Sequence, residues 1–138
     1  MTDEEVILKV NGLKKYFPIK KGVFRRVVGH VRAVDDVDFF IREGETLGLV
    51  GESGCGKSTT GRCIIRLFEP TEGEIEFKQD GQYKDIVSAE KQQLKNIRKD
   101  IQIVFQDPFS SLDSRMSVRD IIAEPLKVNK IGNRSERT

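Results

Sequence analysis

Thr46-Leu47-Gly48-Leu49-Val50-Gly51-Glu52-Ser53-Gly54-Cys55-Gly56-Lys57-Ser58 is the stretch on which the reading of this chain turns. Its first five residues are a short apolar run of the kind that forms a buried parallel strand. Thr59 to Phe68 follow it, with Thr60, Ile64 and Phe68 on one helical stripe and Ile65 and Leu67 beside them. Between strand and helix lies a glycine-rich turn that ends in Lys57-Ser58, and that context gives the motif a mechanism. Glycines let successive N–H groups curl toward one anion. The positive end of the next helix adds its dipole. Lys57 is placed as a mobile charge for β- and γ-phosphates, and the Ser58 hydroxyl as a ligand for Mg²⁺. The expectation is that the chain binds a nucleoside triphosphate.

Composition narrows the class. A chain of 138 residues with 37% hydrophobic and 33% charged residues supports one core under a heavily charged surface. The net charge of +2 is too small to argue for nucleic acid. No apolar run approaches the roughly 18 residues that span a bilayer. The opening Met1-Thr2-Asp3-Glu4-Glu5 is acidic where a signal peptide is basic. Cys55 and Cys63 form neither a disulfide framework nor a metal spacing, which points to a reducing, cytosolic compartment.

Outward from the loop, Val6 to Val10 reads as a strand stopped at Asn11-Gly12. Residues 18–30 read as a basic connector, and 31–41 as a second strand. Beyond the helix, Glu69-Pro70 is a break. Glu74-Ile75-Glu76-Phe77-Lys78 alternates strictly, an antiparallel signature within a chain otherwise patterned for parallel α/β. Gln79 to Gln82 reads as a turn, residues 88–97 as a polar helix, and Ile101 to Phe105 as a second buried strand ended by Gln106-Asp107-Pro108. Ser117 reads as an N-cap with Asp120 three residues on, opening a helix that Pro125 should end or kink.

A phosphate loop alone does not separate kinases, GTPases, helicases and transport ATPases. Gln106, 49 residues beyond Lys57, narrows the choice. At the carboxyl end of a strand, where open α/β sheets bind ligands, an amide can ligate Mg²⁺ and hold a water without repelling phosphate. Taken alone, Gln106 is better read as an ordinary polar strand end.

Together these residues resemble the ATP-binding-cassette (ABC) ATPases. The fold so implied is α/β, a P-loop NTPase core with a mostly parallel sheet plus an antiparallel β subdomain, truncated before the helical subdomain is complete. In that resemblance Phe17 matches the aromatic that stacks on adenine. Gln106 matches the glutamine of the Q-loop, catalytic with Lys57 and a metal ligand with Ser58. Gly51, Glu52, Ser53, Gly54, Cys55, Gly56, Lys57, Ser58 and Thr59 form the nucleotide-binding set for ATP and Mg²⁺. Ala33-Val34-Asp35-Asp36-Val37, the run from Gly44 into the loop, Thr59-Thr60-Gly61-Arg62, and Val104 to Pro108 with Ser111-Leu112 and Arg115-Met116 resemble oligopeptide/dipeptide importer ATPases, the F-type subunit in particular. Asp113-Ser114 stands where that family usually reads Asn-Pro.

The resemblance implies a peripheral subunit on the cytoplasmic face of the membrane. Its partners would be a second ABC ATPase subunit, transmembrane permease subunits and, indirectly, an extracytoplasmic solute-binding protein, with no nucleic acid. The family's signature loop, Asp-Glu strand end and switch histidine have no counterpart, since the only histidine, His30, precedes the loop. Residues 1–138 are therefore expected to be the amino-terminal part of one nucleotide-binding domain. About 1–108 would be core and antiparallel subdomain, about 109–138 the start of the helical subdomain. The chain alone is expected not to turn over ATP. A non-transport cassette ATPase acting as a mechanical clamp shares the loop and Gln106; the stretch Phe109 to Pro125 resembles an importer coupling region instead.

Overall fold

A computed structural model describes residues 6–107, 112–133 and 137. The chain divides into two compact units, Met1–Ile103 and Val104–Thr138.

The first unit is built on one four-stranded antiparallel sheet. β1 (Val6–Lys21) and β2 (Arg26–Arg42) form a long hairpin, helix α1 (Lys57–Ile64) follows, and β3 (Glu72–Gln79) and β4 (Gln82–Asp85) form a second hairpin. Helix α2 (Lys91–Asp100) closes the unit, and the sheet order is β2-β1-β3-β4. The turn between β3 and β4 is Asp80-Gly81, with φ of 53° and 76°. Two positive φ values give the turn whose twist matches that of the strands, and Asp-Gly is suited to it.

β1 runs past the expected stop at Asn11-Gly12. The strand absorbs Gly12 (φ 55°) as a register shift between Val10 and Leu13, so Leu13 returns to the buried face. The glycine there marks a bulge, not an end. The connector expected over 18–30 is likewise the far end of this hairpin, with its turn at Gly22–Arg25.

One face of the sheet is apolar. Leu8 and Val10 of β1 alternate with Lys9, and with Leu13, Val34, Ile75 and Ile86 they meet Cys63 of α1 and Leu94 and Ile97 of α2 in a single core. Each fully buried Leu or Ile contributes about 1.5–3 kcal/mol of hydrophobic stabilisation. Two guanidinium groups tie the backbone after α1 to its surroundings. Arg66 donates to the carbonyls of Ile86 at 2.9 Å and Ala89 at 2.6 Å. Arg98 of α2 donates to those of Ile65 at 3.0 Å and Arg66 at 2.8 Å. α2 opens with the Glu90 N–H bonded to the Gln93 side chain at 3.1 Å, half of a capping box.

Two expected strands differ. Thr46–Val50 and Ile101–Phe105 pair with nothing among the described residues, so the sheet described is wholly antiparallel. Val50 is 91% exposed and Val104 94%. An apolar run states what covering a segment requires, but a parallel strand also needs neighbours for its ladder. No described segment supplies them. The α/β class and the antiparallel subdomain are as expected.

In the second unit, α3 (Val118–Val128) begins at the expected cap, the Ser117 hydroxyl accepting the Asp120 N–H at 3.2 Å. Pro125 does not end the helix, which continues three residues to Val128. Pro125 withholds an N–H from the Ile121 carbonyl, and the turn beyond it closes the helix: Pro125 accepts from the Asn129 N–H and side chain, both at 3.0 Å, and Leu126 from the Ile131 N–H at 2.9 Å. Asp113 accepts the Arg115 N–H at 2.9 Å on its carboxylate, an Asx turn that an asparagine could make equally. The expected stop at Pro108 and Ser111 lie outside the described residues.

Candidate functional site

The phosphate loop is held against the sheet by a glycine. Gly56 caps α1 with φ 98° and ψ −3°, and a Cβ there would fall 2.1 Å from the carbonyl oxygen of Ala33. Only glycine lets the loop lie this close to β2 while its backbone is left-handed. From Gly56 the chain enters α1 at once: its carbonyl accepts the Thr60 N–H at 2.8 Å and the Thr60 hydroxyl at 3.1 Å. Thr60 is buried while Ser58 is exposed, so neighbouring hydroxyls on one turn serve different ends, one structural and one open to a ligand.

Within the loop, the Cys55 N–H closes onto the Glu52 carbonyl at 3.3 Å. The amides of Gly54, Gly56, Lys57, Ser58 and Thr59 donate to no acceptor among the described residues. Such amides at a helix start are the donors an anion satisfies. The Lys57 ammonium folds back over the same loop. It donates to the Gly51 carbonyl at 2.7 Å and the Glu52 carbonyl at 2.6 Å, and lies 3.4 Å from the Cys55 sulfur. Among the described residues this cation has exchangeable neutral partners and no carboxylate, so it can leave them for a phosphate without breaking an ion pair.

Phe17 lies on β1, its ring edge-on to Phe68 at 5.5 Å between centroids and 86° between planes, with the Lys15 ammonium 5.0 Å away. Phe68 follows α1, so Phe17 is tied to the segment that the loop helix feeds. Tyr16, one residue back, packs beneath the Arg32 guanidinium at 5.4 Å, and its hydroxyl donates to Asp35. That bond holds the Asp35 carboxyl below its ordinary value, against the opposing effect of desolvation, and Arg32 adds to it. The same bond, with desolvation, raises the Tyr16 phenol. Cys63 is the opposite kind of cysteine from exposed Cys55: burial pushes its thiol up, which makes it inert.

Gly51 to Thr59 thus come together as one loop and the first turn of α1, with Phe17 in the same unit. Gln106 falls in the second unit at an exposed bend. No three His, Cys, Asp or Glu side chains converge on a metal position among the described residues. A divalent ion here would rest on the Ser58 hydroxyl and on oxygens brought by the phosphates, which the exposed hydroxyl beside free amides permits. Two contributors were missing from the sequence reading. The Ala33 carbonyl against Gly56 has no sequence signal, because a backbone atom leaves none. The Phe68 ring had been read only as part of a helix stripe.

Comparison with known proteins bears on the same residues. A family model described as ABC transporter matches residues 34–137. Oligopeptide transport ATP-binding protein AppF of Bacillus subtilis is 54% identical over 98% of this chain and 40% of its own length. Glutathione import ATP-binding protein GsiA of Escherichia coli is 49% identical over 94% of this chain and 20% of its own. The chain therefore spans less than half the length of these relatives. Among solved structures, a dimeric ATP-binding cassette in a post-hydrolysis state bound to ADP and Pi superposes with TM-score 0.70 at 27% identity, covering 95% of this chain and 52% of that one. The cbiO1 subunit of Clostridium perfringens, part of an ABC transporter complex, gives 0.66 at 28% identity, over 97% and 47%.

Proposed function

The chain belongs to the ABC transporter family, and from that premise we propose that it forms part of an ATP-binding subunit whose intact protein couples ATP binding and hydrolysis to uptake of peptides or similar solutes. The observation that carries the reading is the loop itself: the amides of Gly54 and of Gly56 to Thr59 find no acceptor among the described residues, beside a lysine that bonds the Gly51 and Glu52 carbonyls. The names of the relatives, oligopeptide transport and glutathione import proteins, favour an importer of peptide-like solutes over a mechanical clamp.

In this reading the amides of Gly54 and of Gly56 to Thr59 cradle the phosphates, and Lys57 exchanges the Gly51 and Glu52 carbonyls for β- and γ-phosphate oxygens. Gly51, Glu52, Ser53 and Cys55 shape that cradle. Phe17, steadied edge-on by Phe68, offers a ring to adenine. Mg²⁺, when bound, would neutralise charge between the β- and γ-phosphates. Ser58 and Gln106 would hold it, and the Gln106 amide would orient water without adding negative charge. Positioning and charge stabilisation carry such a reaction, since phosphoryl transfer asks little covalent chemistry of the protein.

Residues up to about 108 would be nucleotide-binding core and antiparallel subdomain, and about 109–138 the beginning of a helical subdomain. The partners would be a second ATP-binding subunit and permease subunits, with a solute-binding protein acting through them, at the cytoplasmic face of the membrane. No described helix is long and apolar enough to cross one.

Titrating ATP with and without Mg²⁺ tests the site. Mg²⁺ should tighten binding to the parent chain, and Ser58→Ala should abolish that gain while leaving Mg²⁺-free binding intact. A gain that survives in Ser58→Ala would remove Ser58 from the metal site.

A further inference from the structure

The tip of the β1–β2 hairpin does no work in the nucleotide site. From Tyr16 to Val34 there is no Asp or Glu, while Lys20, Lys21, Arg25, Arg26 and Arg32 supply five cations. Residues 18–28 are all exposed, and Lys20, Lys21, Arg25 and Arg26 form no ion pair with a described carboxylate. Lys21 stands directly opposite Arg26 across the hairpin, a like-charge pair that by itself weakens strand pairing.

Between these charges the turn Gly22–Arg25, closed by the Arg25 N–H on the Gly22 carbonyl at 3.0 Å, lifts two apolar side chains into solvent. Val23 is 95% exposed and Phe24 86%. Val27 and Val28 on the returning strand are exposed as well.

We propose that this hairpin tip docks on an anionic phospholipid surface, with Phe24 and Val23 entering the interface and Lys20, Lys21, Arg25 and Arg26 resting on headgroup phosphates. Phenylalanine rings bury at the boundary between headgroups and acyl chains, and stable attachment takes an apolar anchor together with a basic patch. The shape selects lipid over an acidic protein. The apolar residues sit at a convex apex with cations on both flanks, so an occupant must surround the tip. A deformable bilayer does this without a preformed pocket. Headgroup phosphates would also neutralise the Lys21–Arg26 repulsion. The inference needs neither ATP nor a permease, so it stands or falls separately from the nucleotide reading.

Flotation of the 138-residue chain with phosphatidylcholine vesicles, with and without phosphatidylglycerol, tests it. Binding should require phosphatidylglycerol and fade with salt. The variant K20Q/K21Q/R26Q should lose about fivefold per cation, a fall on the order of a hundredfold. F24S should lose about tenfold with the salt dependence retained. Both sets of changes lie at exposed positions, and thermal melts matching the parent would show that the fold is kept. Equal binding to both vesicle types, or variants that bind like the parent, would overturn the proposal. Retention on polyglutamate without vesicle binding would assign the tip to an acidic protein and overturn it equally.

Discussion

Replacing Gly56 by alanine should damage the loop far more than replacing Gly54, although the two backbones are strained alike. Both have left-handed φ, 98° at Gly56 and 84° at Gly54, so either alanine pays roughly 1–2 kcal/mol for its dihedral. At Gly54 a Cβ meets nothing within 4 Å, whereas at Gly56 it lies 2.1 Å from the Ala33 carbonyl oxygen. That oxygen belongs to β2 and cannot rotate away, so the loop must lift from the strand by about an ångström. Forced overpacking of this kind costs about 1–3 kcal/mol more. Gly54→Ala should therefore destabilise by roughly 1–2 kcal/mol and Gly56→Ala by roughly 2–5 kcal/mol. At about 4 °C per kcal/mol for a unit of this size, the Gly56 variant should melt roughly 4–12 °C below the Gly54 variant. Thermal unfolding followed by circular dichroism without nucleotide reads the difference directly. Equal melting temperatures would refute the close seat of the loop on Ala33.

Two further outcomes follow from the surroundings of the loop. Asp35 is held below 3.8 chiefly by the Tyr16 hydroxyl; a carboxyl depressed in the folded state stabilises above its unfolded value and loses that contribution as pH falls through the folded one. Tyr16→Phe should move the Asp35 midpoint in an NMR titration up toward 3.8 and make the chain less sensitive to acid below it, and an unmoved midpoint would break the assignment. Alkylation should go to exposed Cys55 and spare buried Cys63. ATP should slow it, because the sulfur lies 3.4 Å from the Lys57 ammonium, and a rate indifferent to ATP would place that sulfur away from the ligand.

What the sequence made legible was local. The loop from Gly51 to Ser58, the Asp80-Gly81 turn and the Ser117 cap each depend on residues adjacent in the chain, so their chemistry is written where it acts. The strands expected at Thr46–Val50 and Ile101–Phe105 depend on neighbours that no local pattern names, and among the described residues they remain unpaired. The long hairpin was hidden for a related reason. Gly12 ends a strand in most contexts, but here β3 approaches so closely that a Cβ on Gly73 would lie 2.5 Å from the Gly12 carbonyl oxygen. Pro125 does not end its helix, because it removes one N–H, the partner of the Ile121 carbonyl, and leaves the following turn free to close at Asn129. Phe17 enters the reading only through family likeness, and Gln106 through its strand-end position and that likeness together; the structure adds the Phe68 ring packed edge-on against Phe17.

The central claim is that the loop binds ATP through Lys57, and a calorimetric titration of Mg-ATP into the parent chain and Lys57→Ala tests it most directly. In that account Lys57 would exchange its bonds to two uncharged carbonyls, at 2.7 Å and 2.6 Å, for bonds to charged phosphate oxygens, worth about 1.5–3 kcal/mol. The variant should therefore bind roughly 10- to 150-fold more weakly at an unchanged fold. Equal affinities for the two proteins, or no binding to a correctly folded parent chain, would contradict the account.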